Sequence, residues 1–139
     1  MEGIVYKIQS YKENDRLVFV YTPKGKLTLV SKGSQKTISK DRVVAQYLSH
    51  ISFNEVNQKT MYPLSEGKLL NSFDLIKKEY KSVELVSIIF DLLTLYVQEE
   101  DDHEVIFKLI IDALTDFKKE NILSFSFKLI KKIGYQMIL

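Results

Sequence analysis

Most side chains that do covalent chemistry are scarce in this 139-residue chain, and those present are not grouped for it. With no Cys there is no thiolate nucleophile, disulfide framework or thiolate zinc site. The only histidines are His50, in a strand pattern, and His103, at a helix start, and nothing assigns them to a shared metal site. The acids Glu99, Glu100, Asp101 and Asp102 precede a helical pattern, where the helix dipole favours them and they face water. Gly25 and Gly33 lack the spacing and the following Lys-Ser or Lys-Thr of a nucleotide phosphate loop. What the chain does concentrate is positive charge. Lys24, Lys26, Lys32, Lys36, Lys40 and Arg42 lie in or beside the segment Gly25 to Arg42, where Asp41 is the single acid. That is the electrostatic footprint of a phosphate-backbone partner. The expectation is therefore binding and not catalysis: no enzyme, cofactor or metal.

Cations near phosphates release condensed counterions, so affinity is high at low salt, falls steeply as salt rises and carries little base selectivity. Single strands also use aromatic platforms on which bases stack. Tyr11, Tyr21, Tyr47, Phe53 and Tyr62 stand in extended patterns, where aromatics at alternating spacing face inward as a rule. Tyr47, next to the basic loop, is the one assigned to the interface. The expected DNA-binding set is thus Lys24, Lys26, Lys32, Lys36, Lys40, Arg42 and Tyr47.

The elements that must position these residues follow from periodicity. Ile4, Tyr6 and Ile8, then Leu17, Phe19 and Tyr21, then Leu27 and Leu29 alternate with their neighbours at period 2, which predicts three strands. Turn residues separate them at Tyr11 to Asp15 and at Thr22 to Lys26, the second a short hairpin. Val43 to Val56 and Thr60 to Phe73 supply two more extended stretches, the last broken at Pro63 or confined to an edge, because proline has no amide to donate. Five short strands favour closure into a Greek-key barrel, which removes exposed edges. From Asp74 the spacing becomes helical: Val83, Val86, Ile89, Phe90, Leu93 and Val97, then Phe107, Ile110, Ile111, Leu114 and Phe117, then Ile122, Phe125, Leu129 and Ile133. Asp101 with Glu104 reads as a capping pair, Asn121 as the cap of the next helix, and Gly134 as a left-handed helix end. The expected class is α+β: a five-stranded Greek-key barrel over residues 1–73 and an all-helical domain over 74–139, packed on it without a linker.

Charge follows the same division. Residues 1–73 hold eleven Lys and Arg against six Asp and Glu, a net of +5, whereas 74–139 hold nine against twelve, a net of −3. Nucleic acid is therefore expected on the first half, the plain alternative being chance segregation of solvated charge. Hydrophobic content of 45% is enough for a buried core. The longest apolar run, Leu85 to Val97, is shorter than a membrane span and contains Ser87, Asp91 and Thr94. The N-terminus lacks a basic region followed by an apolar one, so the cytoplasm is the expected location.

The ordered set Met1-Glu2-Gly3-Ile4-Val5, Tyr11 to Val18, Thr22 to Gly25, Ser31-Lys32-Gly33-Ser34-Gln35-Lys36 and Lys132-Ile133-Gly134-Tyr135 resembles the bacterial recombination mediator family RecO over nearly the whole chain. The resemblance implies that the barrel over residues 1–73 is an oligonucleotide-binding (OB) fold followed by helices over 74–139, and a role in binding DNA, annealing complementary strands and loading recombinase. It implies as partners single-stranded DNA, with duplex DNA second, and RecR, the single-stranded-DNA-binding protein and the RecA recombinase, at the bacterial nucleoid; no membrane is implied. The chain departs from the family pattern twice. Gln35 stands where the family signature has a basic residue. Most members continue past Gly-Tyr into further helices and often a four-Cys zinc site, so the chain reads as a reduced member or a fragment. The competing reading is a protein-interaction module using the helical domain, without affinity for DNA; a hydrolase would need converging acids in a pocket.

Overall fold

The computed structural model describes residues 1–33, 42–57 and 61–138, and it divides into two compact units, Met1–Ser72 and Phe73–Leu139. The expected sites Lys36 and Lys40, with Gln35, lie outside the described residues.

The first unit begins with a three-stranded meander, β1 (Glu2–Tyr11), β2 (Asp15–Thr22) and β3 (Gly25–Ser31). Alternation places Val5, Val18, Val20, Leu27 and Leu29 on one side, where they form a buried cluster with Val44, Ala45, Ile51, Phe53 and Leu64. Two glycines serve the backbone here. A Cβ on Gly3 would stand 2.3 Å from Val20 Cγ1 and 2.9 Å from the Tyr21 carbonyl oxygen, so β1 can lie this close to β2 only without one. Gly25 has φ of 119°, a left-handed geometry that ends the tight turn after Thr22, whose hydroxyl donates to the Gly25 carbonyl at 2.9 Å.

β4 (His50–Ser52) pairs antiparallel with the start of β1. The segment that follows then divides at proline, as expected. β5 (Tyr62–Pro63) runs parallel to β3, and β6 (Lys68–Asn71) runs antiparallel to β4. The strand order is β5-β3-β2-β1-β4-β6. Because β5 and β6 are two pieces of one segment, separated only by residues 64–67, that segment meets both edges of the sheet and curls it into the OB barrel.

One expected strand is largely absent. Of Val43 to Val56 only His50–Ser52 is extended; Arg42 to Leu48 is a series of turns and bends. Its apolar residues Val44, Ala45 and Leu48 are buried, and Leu48 at φ of 58° donates its amide to the Val5 carbonyl at 2.9 Å. Burial in the barrel core overrides the extended preference of the Val pair. Tyr47 accordingly stands on a turn, not on a strand.

The second unit has α1 (Asp74–Lys77), α2 (Tyr80–Tyr96), α3 (His103–Thr115) and α4 (Lys119–Ile138). Val86, Ile89, Phe90 and Leu93 of α2 are buried, as are Ile106, Phe107, Ile110, Ala113 and Leu114 of α3, and Ile122, Phe125 and Leu129 of α4. The three apolar stripes therefore face a core, with α4 packing on both α2 and α3. The helix ends differ from expectation. Asp102, not Asp101, caps α3, accepting from the Val105 amide at 3.5 Å, while the buried Asp101 accepts from Gln98 N at 2.7 Å and closes the preceding turn. Asn121 lies inside α4 and donates its side-chain amide back to the Asp116 carbonyl, so it does not serve the free helix amides. Gly134 does not end α4, which continues to Ile138; helical hydrogen bonding overrides its left-handed preference.

Candidate nucleic-acid interface

Hairpin topology separates the expected cations Lys24 and Lys26 from Lys32. In a meander the β1–β2 turn and the exit of β3 share one end of the sheet, while the β2–β3 turn lies at the other. Lys24, in the second turn, is thus about 26 Å along the strand from Lys32, eight residues at about 3.3 Å each. Lys24 is exposed and ion-paired with Glu55, whose carboxyl is held below its usual range by that contact. Lys26 is half-buried in β3, paired in register with Tyr21. These two do not join Lys32.

At the opposite end Lys32 is exposed where β3 leaves the sheet. The next residue, Gly33, at φ of 68°, donates its amide to Asp15 Oδ1 at 2.8 Å, tying this exit to the start of β2. Arg16, in register with Ser31, donates from Nη1 to the Ala45 carbonyl at 3.0 Å. That bond ties Ala45 of the Arg42 to Leu48 turns to the start of β2, while Leu48 at their other end bonds Val5 farther along β1; Gln46 Nε2 donates to the Arg42 carbonyl at 2.7 Å within them. Arg42 is exposed and Tyr47 half-buried. Lys12 stands in the β1–β2 turn, its Nζ 5.4 Å from the centroid of the Tyr11 ring. Topology and register thus bring Lys12, Arg16 and Lys32 to one end of the sheet, with Ala45 tied to it through Arg16. Sequence reading passed over Lys12 and Arg16, although the turn at Tyr11 to Asp15 and the count of strands together place them beside Lys32.

Of the aromatics considered, Tyr21 and Phe53 are core, 0% and 4% exposed, whereas Tyr11, Tyr47 and Tyr62 are half-buried. Tyr6 and Phe19 were read only as alternating strand residues. Their rings meet at 6.4 Å with a 60° tilt, and Lys7 Nζ lies 5.1 Å from the Phe19 centroid. Burial pushes the Tyr6 hydroxyl up to about 12, so it stays protonated.

The histidines stand in different units. His50, half-buried, has Nε2 3.8 Å from Glu2 Oε1, and His103 Nε2 is 2.8 Å from the Glu99 carbonyl. Among the described residues no helix is long and apolar enough to cross a membrane.

A barrel of this topology with cations gathered at one end can hold a sugar-phosphate backbone. Residues 1–73 match the family model described as recombination protein O, N terminal. The chain belongs to this family. Similar proteins carry the name DNA repair protein RecO. That of Clostridium perfringens (strain 13 / Type A) is 31% identical over 140 residues, which cover 96% of this chain and 57% of the relative. That of Clostridium novyi (strain NT) is 28% identical, covering 96% of this chain and 55% of the relative. The RecO protein of Listeria monocytogenes serotype 4b (strain CLIP80459) is 26% identical over 119 residues, 85% of this chain and 47% of the relative. The chain thus spans about half the length of these RecO relatives.

Proposed function

We propose that this chain acts in recombinational DNA repair by binding single-stranded DNA, and duplex DNA second, so as to promote strand annealing and recombinase loading. The observation that carries the reading is the gathering of Lys12, Arg16 and Lys32 at one end of an OB barrel in a chain of the RecO family. RecR, the single-stranded-DNA-binding protein and the RecA recombinase are the partners in this reading, and the bacterial nucleoid its location.

The test is titration of a labelled single strand at two salt concentrations. Lys12→Ala with Lys32→Ala should weaken binding whatever the base sequence and lower the salt slope by about 0.7 per lost contact, roughly 1.4 for the pair. Lys24→Ala at the far end should leave the slope unchanged. Equal effects at the two ends would mean that binding follows overall charge, and no effect at either would remove the DNA reading.

A second reading has one observation of its own. Leu123, Phe127 and Ile130 of α4, spaced i, i+4 and i+7, form an apolar stripe 53%, 73% and 56% exposed. A protein partner on that stripe would be lost in Phe127→Ser while DNA binding persisted.

A further inference from the structure

Asp15 is out of place by charge. It opens β2 between Lys12 in the turn and Arg16 beside it, at the sheet end where Lys32 leaves β3, and an acid there weakens the attraction for phosphate. Geometry gives it another part. The β2–β3 ladder closes with the pair Arg16–Ser31, so Lys32 is the first residue beyond it. The next residue, Gly33, donates its amide to Asp15 Oδ1 at 2.8 Å. Lys32 is therefore a single-residue span between two anchors, the ladder at Ser31 and the carboxylate at Gly33. Among the described residues packing does not supply the second anchor: apart from the chain neighbours, no heavy atom lies within 4 Å of where a Cβ on Gly33 would stand. Arg16, next to Asp15, holds the Ala45 carbonyl at 3.0 Å, so adjacent side chains anchor the chain on either side of residues 34–44.

We infer that Asp15 is a positioning residue for DNA binding: its carboxylate holds the backbone at Gly33, so that Lys32 is presented to a phosphate at a fixed place on the sheet end. The inference rests on the nucleic-acid reading above and deepens it, since it concerns how that same site is preorganised. A lysine on an unanchored stretch loses backbone freedom as well as side-chain freedom when it meets a phosphate, and an anchor made in advance removes that part of the cost. Asp15 thus has two opposed effects. Its charge repels phosphate, and its accepted amide fixes the cation that attracts it. Substitution separates the two: asparagine keeps an oxygen that accepts from Gly33 but loses the charge, whereas alanine loses both.

The experiment titrates the full chain, well below the melting temperature of each variant, with a labelled oligo-dT of about 16 nucleotides. Asp15→Ala should bind roughly 2- to 10-fold more weakly than Asp15→Asn, the cost of ordering Lys32 on binding. A bond that served only the fold would act independently of Lys32. The same pair is therefore compared in a Lys32→Ala chain, where the ratio should fall below about twofold. Equal affinity of Asp15→Ala and Asp15→Asn, or a ratio that persists without Lys32, overturns the positioning role, while salt-sensitive binding by the unmodified chain leaves the DNA reading standing. No binding by the unmodified chain overturns both. Should Asp15→Ala lose its melting transition, Asp15→Glu decides, because it keeps the charge and moves the oxygens by one methylene. Weaker binding than the unmodified chain, with the difference gone in Lys32→Ala, supports the role; unchanged affinity, or a difference that persists, overturns it.

Discussion

The barrel and the helical unit hold their residues in place by different means. In the barrel each position is fixed by partners far away in sequence: Gly3 by Val20, Arg16 by Ala45, and Asp15 by Gly33. In the helical unit the decisive contacts are local, such as Asp101 with Gln98 and Asp102 with Val105, and the stripes follow from the 3.6-residue period alone. The difference shows in the candidate site. Among the described residues, Lys24 and Lys32, close in sequence, stand apart by the length of a strand, because register and not proximity in sequence decides which end of a sheet a residue occupies.

The largest expected effects test whether both units are cores of the same quality. Leu29 in β3 and Leu93 in α2 are each 0% exposed. Leu29→Ala and Leu93→Ala should each cost about 2 to 5 kcal/mol in urea unfolding. A loss below about 1 kcal/mol in one of them would show a loosely packed unit and end the comparison as one between equals. Next comes the long-range contact itself. Gly3→Ala puts a methyl against Val20 and the Tyr21 carbonyl, and overpacking of this kind should cost about 1 to 3 kcal/mol. A neutral result would mean that β1 and β2 separate freely there, and that register is a weaker constraint than the local helical contacts.

A smaller effect sharpens the local side. The Asp101 carboxylate is buried and accepts at 2.7 Å, whereas the Asp102 cap is long at 3.5 Å. Asp101→Ala should therefore destabilise more than Asp102→Ala, the latter by about 0.5 kcal/mol, the low end for a lost cap. The reverse order in thermal unfolding would restore the assignment that the sequence suggested.

These same contacts explain what could be read beforehand. The β1–β3 strands, the break at Pro63 and the helical stripes were legible because each rests on a period or on a backbone property that sequence displays directly. The turns from Arg42 to Leu48 were not: Val43 and Val44 prefer extended backbone, and only the barrel interior and the amide of Leu48 reaching Val5 make a turn the better state. The cap moved from Asp101 to Asp102 because two adjacent acids can each serve, and the choice depends on which carboxylate the Gln98 amide captures. For the candidate site, the residue type was legible and its grouping was not. Lys32 and Arg42 were found by charge, while Arg16 was passed over because its part depends on the carbonyl of Ala45, 29 positions away.

The smallest effect concerns His50, where register brings a titrating group of the barrel against Glu2 on the neighbouring strand. Burial lowers the imidazole from its ordinary 6.5, and the Glu2 carboxylate opposes that shift without cancelling it. The folded chain thus takes up a proton at this site less readily than the unfolded one. The sign follows from linkage: stability rises with pH wherever the unfolded state binds more protons. His50 should cost nothing well above pH 6.5; its cost should grow as pH falls from there towards the folded value and level off below it. His50→Gln should flatten that part of the stability profile, and Glu2→Gln should steepen it, because the opposing charge is gone. Urea unfolding of the three proteins between neutral and mildly acid pH reads both slopes. If Glu2→Gln flattened the profile as His50→Gln does, the carboxylate would outweigh burial, and the cross-strand pair would be an ion pair holding β1 to β4.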